Sequence, residues 1–252
     1  MGNVKCKNVR CKMKKYLFVL LSAAVGLASC SKDEISGWVG TDYVRIVGPE
    51  VWTLGSDSME YSFAAYASAV TTFTVEARVY VEGANADVER TVWVKVDDAT
   101  TAPADSYSLN EAVTIPAGQG YGTLDITLHR IPALETEKCV LKVALDDGRN
   151  ALKGGVKDWQ TLTVRFSDII SRPKNWGDLE EFFGATYSDT KYRFIINTLG
   201  FGSFTYLEPG GMSWGEMWNY RLLVVGALGD YNAAHPGNPL TDESGRPVSF
   251  DN

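Results

Sequence analysis

The chain has 252 residues, 45% of them hydrophobic, and a formal net charge of −7 at pH 7. Its apolar content is ample for a folded core, and its length suits one large domain or two small ones. Beyond its first 15 positions the acidic chain has no cluster of Lys and Arg to offset its repulsion of phosphate groups, so nucleic acid is excluded as an expected partner.

The first segment, 1–29, is predicted to be a lipoprotein signal peptide. Six basic residues and no acidic one occur in its first 15 positions, and an apolar run follows over 16–28. This order is typical of a secretory signal, and the run is short for a spanning helix, which needs about 20 residues. Because the small residues Ala28 and Ser29 precede Cys30, we expect cleavage there and lipidation of Cys30. An ordinary secretory signal or an uncleaved anchor, with a chance cysteine, is the alternative.

The residues after Cys30 predict the location of the protein. They are Ser31, Lys32, Asp33 and Glu34. This segment resembles the acidic export tag of Bacteroides-type lipoproteins, which sends them to the outer face of the outer membrane. Acyl chains contribute about 0.8 kcal/mol per buried methylene, so we expect a lasting lipid anchor in that membrane, facing the cell exterior. Residues 30–42 would be the tether, and both Met1 and Met13 are candidate starts.

Processing would change both charge and cysteine content. Loss of 1–29 leaves 18 Lys/Arg against 31 Asp/Glu, a net charge of −13. Cys6 and Cys11 would leave with the leader, so Cys139 would have no disulfide partner. Cys139 shares its strand face with Leu141 and Val143, which predicts a buried, inert thiol.

Residues 43–168 are predicted to form an antiparallel, immunoglobulin-like β-sandwich. Apolar and polar residues alternate there, and turn-forming residues interrupt the pattern at short intervals. Strands are predicted over 73–81, 92–96, 124–128, 141–145 and 162–166, with shorter candidates at 43–47, 59–64 and 112–115. One apolar face per strand predicts two packed sheets, and the connections are too short for crossover helices.

Residues 169–252 are predicted to form a small helical region, after a linker at 172–175. Helices are expected over 178–183, over 189–199 with Gly200 as C-cap, and from Ser213 to about Ala233, where Ser213 and Glu216 form a capping box. A short strand is predicted at 248–250. The expected fold class is therefore mainly β with α.

Two groups of segments resemble known families. Tyr107–Leu128 is similar to the Calx-β type of immunoglobulin-like sandwich. Segments 191–196, 231–236 and 239–245 resemble a family of Bacteroides-type surface lipoproteins that are often encoded near SusC/SusD-like nutrient importers. The resemblance implies capture of a glycan or peptide at the cell surface, with such an importer as a partner, and it implies no catalytic residues.

Catalytic signals are weak. The sequence has no phosphate-binding loop, nucleophile elbow, zinc-protease motif or paired Cys motif. His129 lies on the polar side of a strand and His235 at a helix end, where local hydrogen bonds account for a histidine. We therefore expect a protein that is not an enzyme and needs no cofactor. A hydrolase is kept as the least favoured hypothesis.

Two pairs of acidic residues are weak calcium candidates. Asp97 and Asp98 follow one predicted strand, and Asp146 and Asp147 follow another. Calcium needs six to eight oxygen ligands, which loops at the end of a sandwich can supply. Asp is also favoured in turns for its own backbone hydrogen bonds, and this second interpretation is preferred.

Tryptophans are the remaining candidates for ligand contact. Trp93 lies opposite the apolar face of its strand, and Trp214 and Trp218 lie near the start of the last helix. The helical region has apolar residues on too many sides for solvated helices, so we expect it to pack on the sandwich and cover Trp93. Presentation of this surplus to a partner is the alternative.

These observations predict a non-catalytic surface lipoprotein that serves as an accessory binding or scaffolding subunit of nutrient capture, with a glycan as the expected ligand. A structural or adhesive surface protein without a small ligand is the second hypothesis, and a hydrolase is the third.

Overall fold

The computed structural model describes residues 42–49 and 56–251. The predicted signal peptide, the lipidation site Cys30 and the export tag at 31–34 lie outside the described residues, so these stay predictions. Within the described part of the chain, no helix combines the length and apolar character needed to cross a bilayer.

Most of the described chain is β-structure. Its strands, β1 to β10, are Tyr43–Val47, Ser58–Ser62, Thr72–Glu82, Arg90–Val96, Tyr107–Leu109, Ala112–Ile115, Tyr121–His129, Cys139–Leu145, Lys153–Gly154 and Thr161–Ser167. They form two curled sheets in the orders β5-β7-β3-β1-β9 and β2-β10-β8-β4-β6. All eight predicted strands are present. Strands β5 and β9 were missed because three or two residues cannot display a period of two.

The prediction of a wholly antiparallel arrangement is wrong at two sheet edges. Strand β9 pairs in parallel with β1, and β2 pairs in parallel with β10 over its whole length. Alternation of apolar residues tells which face of a strand is buried but carries no information about strand direction. The sequence pattern therefore could not predict these two pairings.

The apolar faces of both sheets are buried in one shared core. In β7 the side chains of Leu124, Ile126 and Leu128 are 0 to 1% exposed, while the residues between them face outward. Cys139 belongs to the same core, as predicted, and it is a free thiol. Burial raises the pKa of this thiol, with a smaller contribution from Glu137.

Three helices follow the sheets in the described part of the chain: α1 (Trp176–Phe183), α2 (Asp189–Leu199) and α3 (Trp214–Ala234). The predicted bounds of α2 are confirmed. Its N-cap Ser188 accepts a hydrogen bond from the Lys191 amide, and its C-cap Gly200 has φ +87°, a conformation that favours glycine. The capping box of α3 is also confirmed.

The predicted strand at 248–250 does not form. Val248 donates its amide to the Leu240 carbonyl, but Ser249 and Asp251 bond to each other instead of to a neighbouring strand. Val248 and Phe250 are nevertheless 8% and 2% exposed, because they pack into the helical core. The alternation of apolar and polar residues over 248–250 therefore indicates burial in the helical core and not a strand of a sheet.

The helices bury a second, separate hydrophobic cluster. Its buried members are Trp176, Leu179, Phe182, Phe183, Tyr192, Ile195, Ile196, Phe204, Met217, Val224, Leu228, Val248 and Phe250. The described residues of both parts belong to one compact unit. The exact domain boundary predicted at 168/169 is not tested by these contacts and stays a prediction.

Candidate ligand-binding cleft

A cleft of about 740 Å³ lies where the sheets meet the helices. One wall is the end of β7 with the short helical turn Pro132–Glu135, and the opposite wall is α2 with the segment 240–243. A volume of this size is typical of small-molecule sites, which occupy about 300–1,000 Å³. The lining combines charged, amide, hydroxyl and aromatic side chains.

Asp168 is the centre of the junction below this cleft. It follows β10, is 4% exposed, and accepts hydrogen bonds from Nε and Nη2 of Arg130 at 2.7 and 2.8 Å. Arg193 of α2 donates to the same carboxylate from Nη2 at 2.7 Å. The third guanidinium nitrogen of Arg130, Nη1, donates hydrogen bonds to the carbonyls of Ala67 and Val70. One carboxylate therefore joins β7, a loop between sheets and a helix.

Arg193 has one terminal nitrogen without a partner. Its Nη1 is buried and makes no hydrogen bond to any described residue, whereas its Nη2 is bound to Asp168. A buried donor left without a partner costs about 1–3 kcal/mol. Arg193 is also one of the residues that line the cleft.

The rim of the cleft is acidic at the N-terminus of α2. Glu243 accepts hydrogen bonds from the Thr190 amide at 2.5 Å and from the Thr190 hydroxyl at 2.8 Å. Burial raises the pKa of Glu243, but the bonds from Thr190 outweigh burial and the pKa is lowered. Asp189 accepts from the hydroxyl of Tyr187 at 2.6 Å. These hydrogen bonds position both carboxylates, and each carboxylate keeps lone pairs that can accept further hydrogen bonds.

An aromatic wall completes the cleft. Phe194 and Tyr231 meet edge to face with ring centroids 6.2 Å apart, and the Tyr231 ring stacks on His235 at 4.2 Å. His235 bonds the Tyr231 carbonyl through Nδ1 at 2.8 Å, which agrees with the local role expected for a histidine at a helix end. Rigid rings of this kind offer flat apolar surface at low entropy cost.

The charges of the lining do not favour an anion. Four carboxylates and two guanidinium groups line the cleft: Glu135, Asp168, Asp189, Glu243, Arg130 and Arg193. The formal charge of the lining is therefore −2, and the two arginines are both committed to Asp168. Such a surface suits a neutral ligand that donates hydrogen bonds.

The predicted tryptophan contacts do not lie in this cleft. Arg149 lies over the ring of Trp93 at 4.7 Å. The side-chain amide of Asn150 accepts a hydrogen bond from the Trp93 backbone amide and donates one to the Trp93 carbonyl. Our expectation that the C-terminal helices cover Trp93 is therefore wrong. The loop after β8 covers it, and that loop has no periodic pattern to predict its path.

Trp214 and Trp218 lie together on α3, as their spacing of four implies. Their rings are nearly parallel, with centroids 5.3 Å apart, and they are 50% and 37% exposed. The indole nitrogen of Trp214 donates to Glu181 of α1 at 3.0 Å. The structure thus makes one exposed aromatic pair of these two residues, separate from Trp93.

The two acidic pairs proposed as calcium ligands stay apart. Strands β4 and β8 are antiparallel, so Asp97 lies beside Lys142 while Asp146 lies beside Trp93. Four residues of strand separate these places, which is roughly 13 Å. Asp97 and Asp146 each accept a backbone amide two residues on, as turn residues do. Across the described ranges no cluster of three His, Cys, Asp or Glu could hold a metal.

Other titratable groups have local partners. His129 lies 3.1 Å from the hydroxyl of Ser108 on the neighbouring strand. A hydrogen bond from Arg149 holds the pKa of Asp146 below its usual value. Local hydrogen bonds therefore account for the positions of His129 and Asp146.

Sequence reasoning missed Asp168, Arg130 and Arg193. A signal existed, because each of these charges directly follows or interrupts an apolar stretch, namely β10, β7 and the run in α2. A charge in such a position is expected to be paired when it is buried. The identity of the partner could not be found, since the three residues are 25 to 63 positions apart along the chain.

Fold and cleft define a class: a mainly β protein of two sheets with a C-terminal helical part and a ligand-sized cleft between them. The chain belongs to the family described as Domain of unknown function (DUF4843), which matches residues 38–201. This match includes both sheets, α1 and α2. No curated protein matches the chain.

Several solved structures are similar to about half of the chain. EndoBT-3987 of Bacteroides thetaiotamicron with a Man5GlcNAc product is 13% identical over 49% of this chain and 30% of its own, with a TM-score of 0.39. A candidate carbohydrate-binding protein from Bacteroides ovatus is 13% identical over 51% and 37%, with a TM-score of 0.37. The apo Calx CBD1 domain is 16% identical over 51% and 99%, with a TM-score of 0.36. The chain thus spans well under two thirds of the first two structures.

Proposed function

We propose that this protein is a lipid-anchored surface protein that binds a neutral glycan in the cleft between sheets and helices and does not act on it chemically. The observation that carries the proposal is the cleft itself. It joins an aromatic wall at Phe194 and Tyr231 to carboxylates fixed at the N-terminus of α2. Anchoring at Cys30, an immunoglobulin-like family relationship and association with a SusC/SusD-like importer belong to the same proposal.

A sugar fits this combination of groups. Sugar rings have apolar C–H faces that stack on aromatic side chains, and hydroxyl groups that donate to carboxylates and amides. Asp189 and Glu243 present acceptors, and Thr190 holds one of them in place. The formal charge of −2 disfavours acidic sugars and phosphorylated ligands, because they would be repelled.

The carboxylates support binding more than hydrolysis. A glycosidase needs a general acid whose pKa is raised, so that it carries a proton at neutral pH. The pKa of Glu243 is instead lowered, and Asp168 is occupied by two arginines. We therefore propose capture rather than cleavage as the activity.

Calorimetry with glycans identified on an array tests the proposal. The protein would begin at residue 31, without lipid. Tyr231→Ala should weaken binding at least tenfold, or about 1.4 kcal/mol, because it removes the aromatic surface. Tyr231→Phe should bind almost normally, and Trp218→Ala, outside the cleft, serves as the control.

Absence of binding across the array would contradict the proposal and favour a structural or adhesive protein. Mass spectrometry of the bound glycan after long incubation tests catalysis, since any cleavage product would support the hydrolase hypothesis. For the anchor, Cys30→Ala should abolish partition into the membrane fraction. Protease treatment of whole cells should release the domain if it faces outward.

A further inference from the structure

Helix α3 has an apolar surface that the described residues leave partly exposed. Four large side chains that share one side of the helix are 37 to 58% exposed: Trp214, Trp218, Leu222 and Val225. We call these residues the α3 face. The buried side of the same helix, with Met217, Val224 and Leu228, already fills the helical core. The α3 face is therefore surplus to the fold of one chain.

We propose that the α3 face binds the α3 face of a second copy of this chain, antiparallel, with the two-fold axis at Leu222. The proposal is independent of glycan binding, because none of the α3 face lines the cleft. A two-fold interface uses the same patch on both copies, so the patch must be complementary to itself.

The exposed area agrees with the area that a weak, reversible dimer buries. At the observed exposures, and with about 200 Å² for each fully exposed large side chain, the α3 face offers roughly 370 Å² of apolar surface. With about 65% of the interface apolar, as in homodimers, this corresponds to roughly 570 Å² per partner. The total of roughly 1,140 Å² lies in the range of weak interfaces and above that of most crystal contacts.

Side-chain sizes along the helix are complementary about Leu222. In the antiparallel pairing Trp218 of one copy faces Gly226 of the other, and Gly215 faces Gly229. A Cβ atom added to any of these three glycines would meet nothing within 4 Å, so the space beside them is open to a partner. A bulky ring thus lies against an open glycine, while Leu222 meets its own copy.

Charge also selects the antiparallel arrangement. Glu216 and Asp230 are the exposed acidic residues of α3. At 1.5 Å per residue, two-fold pairing at Leu222 keeps the two Glu216 side chains about 18 Å apart and the two Asp230 side chains about 24 Å apart, beyond the Debye length of about 8 Å. Parallel pairing would bring each against its own copy and would place Trp218 against Trp218.

A membrane surface fits this face less well. Helices that lie on lipid headgroups carry Lys or Arg on their polar side. The exposed positions of α3, all within the described residues, include neither. The one arginine of the helix, Arg221, is turned inward and donates to the Phe182 carbonyl at 2.7 Å.

Light scattering after size exclusion tests the proposal on the chain beginning at residue 31. At about 100 µM a complex of micromolar strength is largely formed, and we expect a dimer. Gly226→Leu should give a monomer with an unchanged circular dichroism melt, because leucine favours helix but fills the space for Trp218. Gly177→Leu, at an open glycine of α1, should remain dimeric.

Orientation is tested by mixing Gly215→Cys chains with Gly229→Cys chains and adding a short bifunctional thiol reagent. Cross-linked heterodimers are expected to dominate over either homodimer. A monomer at 100 µM, a dimer or larger aggregate of Gly226→Leu, or preferential cross-linking of like chains would each overturn the proposal. Binding of monomers to neutral phospholipid vesicles would overturn it in favour of a lipid surface.

Discussion

The two hydrophobic clusters of the molecule are built differently. The sheet cluster is mostly aliphatic, and three of its 25 buried members are aromatic, whereas six of the 13 in the helical cluster are aromatic. A strand shows alternate residues to each face, so aliphatic residues on one face suffice to fill a broad layer. In the helical cluster, large rings fill the space between the three helices. Asp168, with Arg130 and Arg193, joins the two parts and forms the floor of the cleft.

The largest expected effects come from matched truncations in the two cores. Trp176 and Leu141 are both 0% exposed. Trp176→Ala should lower the free energy of unfolding by roughly 3–5 kcal/mol and Leu141→Ala by roughly 2–5 kcal/mol. Urea denaturation followed by circular dichroism should give one transition for both variants. A second transition in Trp176→Ala alone would show that the helices unfold independently.

Removal of the central carboxylate should have an effect of similar size. Asp168→Asn leaves Arg130, which is 8% exposed, without a counter-charge, and breaking such a buried pair costs about 3–5 kcal/mol. Glu60→Gln, which breaks the exposed pair with Lys138, is the control and should change little. Equal denaturation midpoints for the two variants would mean that Asp168 does not join the cores.

Most helices and strands could be predicted from the sequence, whereas the residues that form the cleft could not. In β7 and α2 the spacing of apolar residues and the caps Ser188 and Gly200 determine the element locally. The pairing of Asp168 with Arg130 and Arg193 depends on how distant segments meet, which no local pattern encodes. The cover of Trp93 by Arg149 was missed for the same reason. In α3 the sequence revealed surplus apolar residues but not which of them remain exposed.

Lys191 should make the helical core sensitive to pH. Burial, aided by Arg221 and opposed by Asp251, lowers its pKa from 10.5 to about 8. Between these values the unfolded chain holds a proton that the folded chain has released, so stability should rise with pH. From pH 8 to pH 10 the gain is about 2 kcal/mol.

Urea denaturation of wild type and Lys191→Met across this range isolates the effect. Burial raises the pKa of Cys139, and it raises the pKa of Tyr61 and Tyr192 to about 12, so these groups act in the opposite direction at high pH in both proteins. The difference between the two stability curves should therefore vary through pH 8–10. A constant difference would contradict the buried state of Lys191.

The smallest expected effect is on thiol chemistry in the sheet core. Cys139 is 3% exposed and its pKa is raised by burial, so its thiolate is scarce in the folded protein. Reaction with a chromogenic disulfide at pH 8 should be slow in buffer and fast in urea. Rapid labelling of the folded chain would show that the sheet core opens more readily than its packing implies.

Truncation of the chain after Arg172 tests most directly whether the two parts stabilise each other. Such a chain keeps Asp168 and Arg130 but loses Arg193, the bond from the Ser68 amide to Asn197 and the bond from the Gly202 amide to the Ala65 carbonyl. We expect it to aggregate or to melt well below the chain that extends to residue 252. A monomeric truncated protein with unchanged thermal stability would contradict the account.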